Sequence, residues 1–188
     1  MKMKNTFLLT VTLLFTQIAF AQQKSIDVTA STIKWTGKEI TTKTHYGLLK
    51  FKEGSIEMNE GTVSGGRFVV DMNSLENQDL SGDSKNYLEN HLRSDDFFGI
   101  DQHPTASLDI ASAKIEEGGQ QNIEGYLTIK GITHPINFDM VINEEGATAN
   151  LIFDRSKYDV KFRSSTFFDD LGDKLIYDEI ELSVNLKF

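Results

Sequence analysis

The chain has 188 residues, a net charge of −9, 39% hydrophobic residues, two prolines and no cysteine. That length suits one domain, and the acidic balance repels phosphates, which speaks against nucleic-acid or anionic-membrane surfaces. The missing cysteine excludes a disulfide framework and an acylated lipoprotein anchor.

Residues 1–21 have the physics of a secretory signal peptide. Lys2 and Lys4 supply the positive start, residues 7–20 are mostly apolar, and Ala19-Phe20-Ala21 is a small-x-small cleavage site. The apolar run is too short to span a bilayer. The expectation is an exported, soluble protein, periplasmic or secreted, that begins at Gln22 and forms one domain over residues 22–188. The leader holds two basic residues and no acidic one, so the mature chain is more acidic still.

From there the chain alternates apolar and polar residues, as half-buried strands do. Ile33-Lys34-Trp35-Thr36-Gly37 is the first clear strand, with a short one expected before it around Ile26 and Val28. Residues 41–44 are polar and read as a loop. Residues 45–56 read as a long strand with Gly47, Leu49 and Phe51 on one parity. Gly54 marks a bulge or the end of pairing, because the apolar parity slips to Ile56 and Met58. Asn59-Glu60-Gly61 is a hairpin turn, and residues 62–72 return with Phe68, Val70 and Met72 on one face.

The rhythm then breaks. Tyr87, Leu88, His91 and Leu92 share one helical face, and Ser81, Asp83 or Ser84 could cap that helix. Ser94 reads as a second cap, opening a short turn that carries Phe97 and Phe98 and ends at Gly99; Pro104 then opens the next strand.

Strand rhythm resumes over residues 105–115, where the apolar parity shifts from Ala106, Leu108 and Ile110 to Ala111, Ala113 and Ile115. After a turn over residues 116–121, Ile123, Gly125, Leu127 and Ile129 share a side. Pro135 opens the strand of Ile136, Phe138, Met140 and Ile142. A turn over residues 143–146 leads into Ala147, Ala149, Leu151 and Phe153. Residues 155–178 are mixed and read as a strand end, a loop and a short helical turn. The last strand is the cleanest, with Ile180, Leu182, Val184, Leu186 and Phe188 alternating against polar neighbours.

About eight strands with short turns imply an all-β, antiparallel fold, and a closed barrel with a short helical insertion disposes of the exposed edges. Alternation alone does not say which way the apolar face points. A membrane barrel would show it to lipid between aromatic girdles. Here there is one Trp and no evident girdle, and the amphipathic insertion has no place in a small membrane barrel, so the face points inward.

Two blocks carry a resemblance. His91-Leu92-Arg93-Ser94-Asp95-Asp96-Phe97-Phe98, followed by His103-Pro104-Thr105-Ala106, resembles the H-L-x-S-x-D-F-F…P-T signature of the YceI-like family of periplasmic lipid-binding proteins. Gly125-Tyr126-Leu127-Thr128-Ile129-Lys130-Gly131-Ile132-Thr133-His134-Pro135-Ile136 is similar to its G-x-L-T-x-x-G-x-T-x-P-[IV]. The resemblance runs from about Ile33 to the C-terminus. It implies a lipocalin-like barrel that encloses a long isoprenoid chain, such as a polyprenyl phosphate or a quinone, as carrier or sequestrant. The expected interior is Trp35, Leu49, Phe51, Phe68, Val70, Leu108, Leu127, Ile129, Phe138, Met140, Leu151, Phe153, Leu182 and Val184, with His91, Leu92, Phe97 and Phe98 as lid or mouth. The alternative is a barrel with a filled core that serves as an interaction or stress-response module. The stretch over residues 162–173 is an elaborated loop outside both blocks.

Reaction chemistry is not evident. None of His45, His91, His103 and His134 stands in a metal-binding spacing, and no nucleophile elbow or phosphate loop occurs. Asp95-Asp96…Asp101 and Asp169-Asp170-Leu171-Gly172-Asp173 do not fit a calcium loop and read as solvated. His91 reads as a partly buried histidine bonded to backbone, not a catalytic base. The expectation is a binding protein, not an enzyme, without metal or cofactor.

Overall fold

Period-two alternation over nearly the whole length leaves the chain with one apolar face per strand, and a sheet rolled onto itself buries that face. The structure, a computed structural model, describes residues 22–188; the expected signal peptide lies outside the described residues. Among them nine strands form one antiparallel sheet: β1 (Gln22–Ser25), β2 (Thr32–Lys38), β3 (Thr44–Asn59), β4 (Thr62–Asn77), β5 (Thr105–Ile115), β6 (Gln121–Ile129), β7 (Ile132–Ile142), β8 (Gly146–Asp154) and β9 (Glu179–Lys187). The order is β1-β3-β2-β9-β8-β7-β6-β5-β4, and β3 also pairs with β4, which closes β2–β9 into an eight-stranded barrel. β1 is extra. It pairs with the second half of β3, from Gln22 opposite Met58 to Ser25 opposite Ser55, while β2 takes the first half.

Several boundaries differ from expectation, each for a local reason. The short first strand ends at Ser25 rather than running through Ile26 and Val28, because Asp27 Oδ1 accepts the N–H groups of Thr29 (2.8 Å) and Ala30 (3.1 Å) and turns the chain. β3 does not stop near Gly54. A register shift between Phe51 and Glu53 lets the apolar parity slip while pairing continues to Asn59. β4 likewise runs on to Asn77. Pro135 does not open β7 but sits inside it, opposite Tyr126; β8 pairs with β7 only from Asp139 onward, so the missing N–H falls where β7 has one neighbour. The turns at Glu60-Gly61 and Lys130-Gly131 have positive φ at both residues, the geometry that matches the twist of a tight hairpin.

The helix α1 (Gly82–Arg93) joins β4 to β5 across one end of the barrel. Ser81 occupies its N-cap position without a side-chain bond to the helix. Ser94 ends α1, its hydroxyl donating to the His91 carbonyl (2.8 Å), and opens the expected turn, its carbonyl accepting from the N–H groups of Phe97 (3.0 Å) and Gly99 (2.8 Å). The residues after it form turns that close on Gly99 at φ 54°. Asn77 N–H donates to Glu89 Oε1 (2.8 Å), and Arg93 donates to the Leu75 carbonyl, so α1 is tied to the end of β4.

The two barrel ends differ. At the hairpin end Ile56, Val63 and Ile123 are fully buried, and Gln121 bridges the strands, accepting from Val63 N–H (2.8 Å) and donating to the Gly61 carbonyl (2.9 Å). That end is plugged. Among the described residues no helix is long and apolar enough to cross a membrane.

Candidate functional site

From mid-barrel to the α1 end the interior is hollow. The cavity measures about 340 Å³, within the range of small-molecule sites. All fourteen interior positions expected from sequence line it, from Trp35 on β2 to Leu182 and Val184 on β9. His91, Leu92, Phe97 and Phe98 line it too, so strands far apart in sequence and the helical insertion meet around one space.

The roof is a stack of rings. The His91 ring lies 5.2 Å from Phe97 and 4.4 Å from Phe162, both edge-on, and Phe97 is 5.9 Å from Phe98 and 5.8 Å from Phe162. Phe97 and Leu92 are buried. Tyr87 belongs to the α1 face that looks at the barrel but is 76% exposed, stacked on His91 at 6.4 Å from the outside. One expectation changes here. His91 does not bond to backbone through its ring. Its Nε2 is buried among aromatic edges with no partner among the described residues.

Sequence reasoning missed the part of the roof supplied by residues 155–178. Phe162, Arg163 and Ile176 line the cavity from this segment, which holds the expected loop and short helical turns. It opens with a 3₁₀ turn (Arg155–Tyr158) and is organised around Arg155, whose side chain is fully buried. The guanidinium donates to the carbonyls of Tyr177 (3.2 Å), Val160 (3.1 Å) and Ile176 (3.0 Å). Nη2 also lies 3.1 Å from Asp178 Oδ1, an ion pair whose angle misses that of a hydrogen bond. Burial pushes the Arg155 pKa below its ordinary value, while Asp178 and Asp154 hold it up. The guanidinium also packs over the Phe97 ring at 5.4 Å, linking the two halves of the roof. No pattern in the chain announces this: an Arg just after a strand reads as solvated.

Polar groups gather at the rim. Lys38, Glu39 and His45 line the opening, and His45 Nδ1 contacts Asp79 Oδ2 at 2.8 Å. Burial alone would raise the Asp79 pKa; the Tyr46 N–H, His45 and Asn77 outweigh it and hold the carboxyl below its usual range. The acidic stretches at Asp95-Asp96 and Asp169-Asp170 are exposed.

Because Phe97 joins α1 to the Arg155 segment, Phe97→Ala is expected to destabilise by about 3–5 kcal/mol, the usual range for truncating a buried ring. Urea denaturation checks it, and a loss under about 1 kcal/mol would show a roof that collapses onto the gap.

An eight-stranded antiparallel barrel, solid at one end and roofed by a helix over an apolar cavity at the other, is a lipocalin-like barrel. Its sequence places it further: the YceI-like domain matches residues 25–188, and the chain belongs to that family. It is similar to the proteins named YceI of Salmonella arizonae and Salmonella newport, at 27% identity over 103 residues. That match covers 54% of this chain and 50% of theirs, so the chain spans about half the length of the curated relatives it matches. Among solved structures it resembles BcnA of Burkholderia cenocepacia, with a TM-score of 0.62 and 18% identity over 86% of this chain and 98% of that one. A polyisoprenoid-binding domain from Saccharophagus degradans superposes with a TM-score of 0.58 at 14% identity, covering 89% and 97%. The YceI protein of Campylobacter jejuni gives 0.54 at 16%, covering 99% and 98%. At these identities the likeness is one of fold.

Proposed function

We propose that this protein is exported and carries or sequesters an amphipathic isoprenoid lipid inside its barrel, by burial and without catalysis. The observation that carries the reading is the cavity itself, predominantly apolar along the barrel wall and plugged at the hairpin end. Each buried methylene contributes about 0.8 kcal/mol, so a few isoprene units supply ample affinity before ordering costs. The fold likeness to the polyisoprenoid-binding domain of Saccharophagus degradans supports the same ligand class. A hollow interior weighs against a filled-core module. Export rests on the signal-peptide pattern of residues 1–21.

The test is isolation of the protein from its own host, with N-terminal sequencing and mass spectrometry of the extracted lipid. The expected result is a chain starting at Gln22 with a prenyl lipid at near-stoichiometric level. A retained Met1 overturns export. A lipid-free protein that takes up no prenyl lipid in vitro overturns the carrier.

A further inference from the structure

Resting on that reading, we infer that the lipid's head is a neutral, oxygen-bearing group, a carbonyl or hydroxyl, held inside the cavity beneath α1 by Trp35 Nε1 and His91 Nε2. A phosphate does not suit this place.

Both nitrogens belong to residues that line the cavity, and both are buried without a hydrogen-bond partner among the described residues. Buried polar groups are nearly always paired, so an orphan in a cavity wall points to something that occupies the cavity. The other orphan of this kind, Asp178 Oδ1, has an explanation in the protein, since it faces the Arg155 guanidinium. Trp35 and His91 have none.

Neither group is free to turn away. Trp35 is 8% exposed and stands on the inward parity of β2 between β3 and β9. Gly47 on β3 makes room for its indole: a Cβ there would come within 2.7 Å of Trp35 Cζ2. His91 is wedged between Phe97 and Phe162 and stacked on Tyr87. Phe97 also packs into the buried cluster that contains Trp35, which puts both nitrogens at the roofed end of the same space.

Charge selects the head. An indole N–H only donates, and an imidazole Nε2 donates or accepts according to tautomer, so a carbonyl or hydroxyl oxygen satisfies them. A phosphate in the same place would be a buried anion without a cation. The Lys and Arg side chains that line the cavity, Lys38 and Arg163, are turned to other partners. Lys38 is half exposed in an ion pair with Glu181, and Arg163 lies over the Phe162 ring at 5.1 Å.

The experiment compares three probes of equal prenyl length on the full chain: a prenyl benzoquinone, the matching all-hydrocarbon polyprene and the prenyl phosphate. Affinities come from equilibrium dialysis on wild type, Trp35→Phe and His91→Phe. Trp35 is the single tryptophan, so the indole N–H band in ultraviolet resonance Raman reports on it alone. The quinone is expected to bind about tenfold tighter than the hydrocarbon, the scale of one hydrogen bond to a buried donor, and tighter than the phosphate. Each variant should reduce that advantage, the quinone losing more affinity than the hydrocarbon, and the N–H band should shift with quinone only. Equal affinities for quinone and hydrocarbon, or variants that weaken both alike, overturn the inference and assign the orphans to trapped water. Tightest binding of the phosphate also overturns it, with the lipid reading intact. If none of the three binds wild type, the carrier reading falls and the head-group inference with it. Should Trp35→Phe fail to fold, the Raman shift in wild type and the His91→Phe affinities decide.

Discussion

Phe138→Glu is expected to cost about 3–4 kcal/mol at pH 7 through its buried carboxyl, rising to about 4–7 above a folded pKa that burial raises by about 3–5 units at about 1.4 kcal/mol each. Phe138 stands on β7 at 5% exposure, opposite Ile123, in a cluster with Met140, Ala149 and Leu151, and nothing cationic shares that cluster. A carboxylate there loses its hydration and gains no partner, so its neutral form is favoured in the folded state. With the folded value raised, the penalty is absent below the unfolded pKa of about 4.3 and grows by about 1.4 kcal/mol per pH unit above it. It levels off only where the pH passes the raised folded value, about 3–5 units higher. The pH dependence separates the charge from the lost ring, which contributes at every pH. The check is denaturant unfolding of variant and wild type from pH 4 to 8. A difference that does not change with pH would show that water reaches the new carboxylate, and that the barrel interior is wetter than its lining implies.

The second large effect belongs to Arg155. Arg155→Ala leaves the carbonyls of Tyr177, Val160 and Ile176 and the carboxylate of Asp178 facing a void. Breaking a buried pair by removing one partner costs about 3–5 kcal/mol, against a total stability of about 5–15 for an ordinary domain. Arg155→Lys keeps the charge, but one ammonium cannot span three carbonyls in a planar fork, so an intermediate loss is expected. The segment over residues 155–178 should loosen first, read as faster amide exchange at Ile176, whose N–H is bonded to the Arg163 carbonyl (3.0 Å). Wild-type exchange there in Arg155→Ala would mean that Phe162 and its aromatic neighbours hold the roof unaided.

The barrel was legible because its signal is local. Alternation at period two repeats in every strand, and the apolar parity of β6 (Ile123, Leu127, Ile129) or of β8 (Ala147, Ala149, Leu151, Phe153) is visible without any knowledge of neighbours. The parity slips in residues 45–58 and 105–115 were also readable, and they fall at the register shifts after Phe51 and Ile110. The break in rhythm between β4 and β5 marked the helical insertion, and the two motif blocks marked the family. The fourteen interior positions followed from parity once the apolar face was taken to point inward.

What failed did so where side chains answer to partners distant in sequence. Pro135 reads as a strand opener, yet only the late start of β8 pairing shows that β7 tolerates it inside. Tyr87 shares the helical face of Leu88, His91 and Leu92, but a spacing names a face and not how far the roof extends over it. Arg155 reads as solvated until three carbonyls from residues 160, 176 and 177 close around it.

Local alternation, turn chemistry and two short motif blocks were sufficient to set the strands, their apolar faces, the insertion and the family, because each depends on neighbours a few residues away. The hollow under the helix depended on tertiary structure: where a barrel stops being filled is set by side-chain volumes summed across eight strands. So did the orphaned nitrogens of Trp35 and His91. Whether a buried donor finds an acceptor is decided by atoms brought together from opposite ends of the chain.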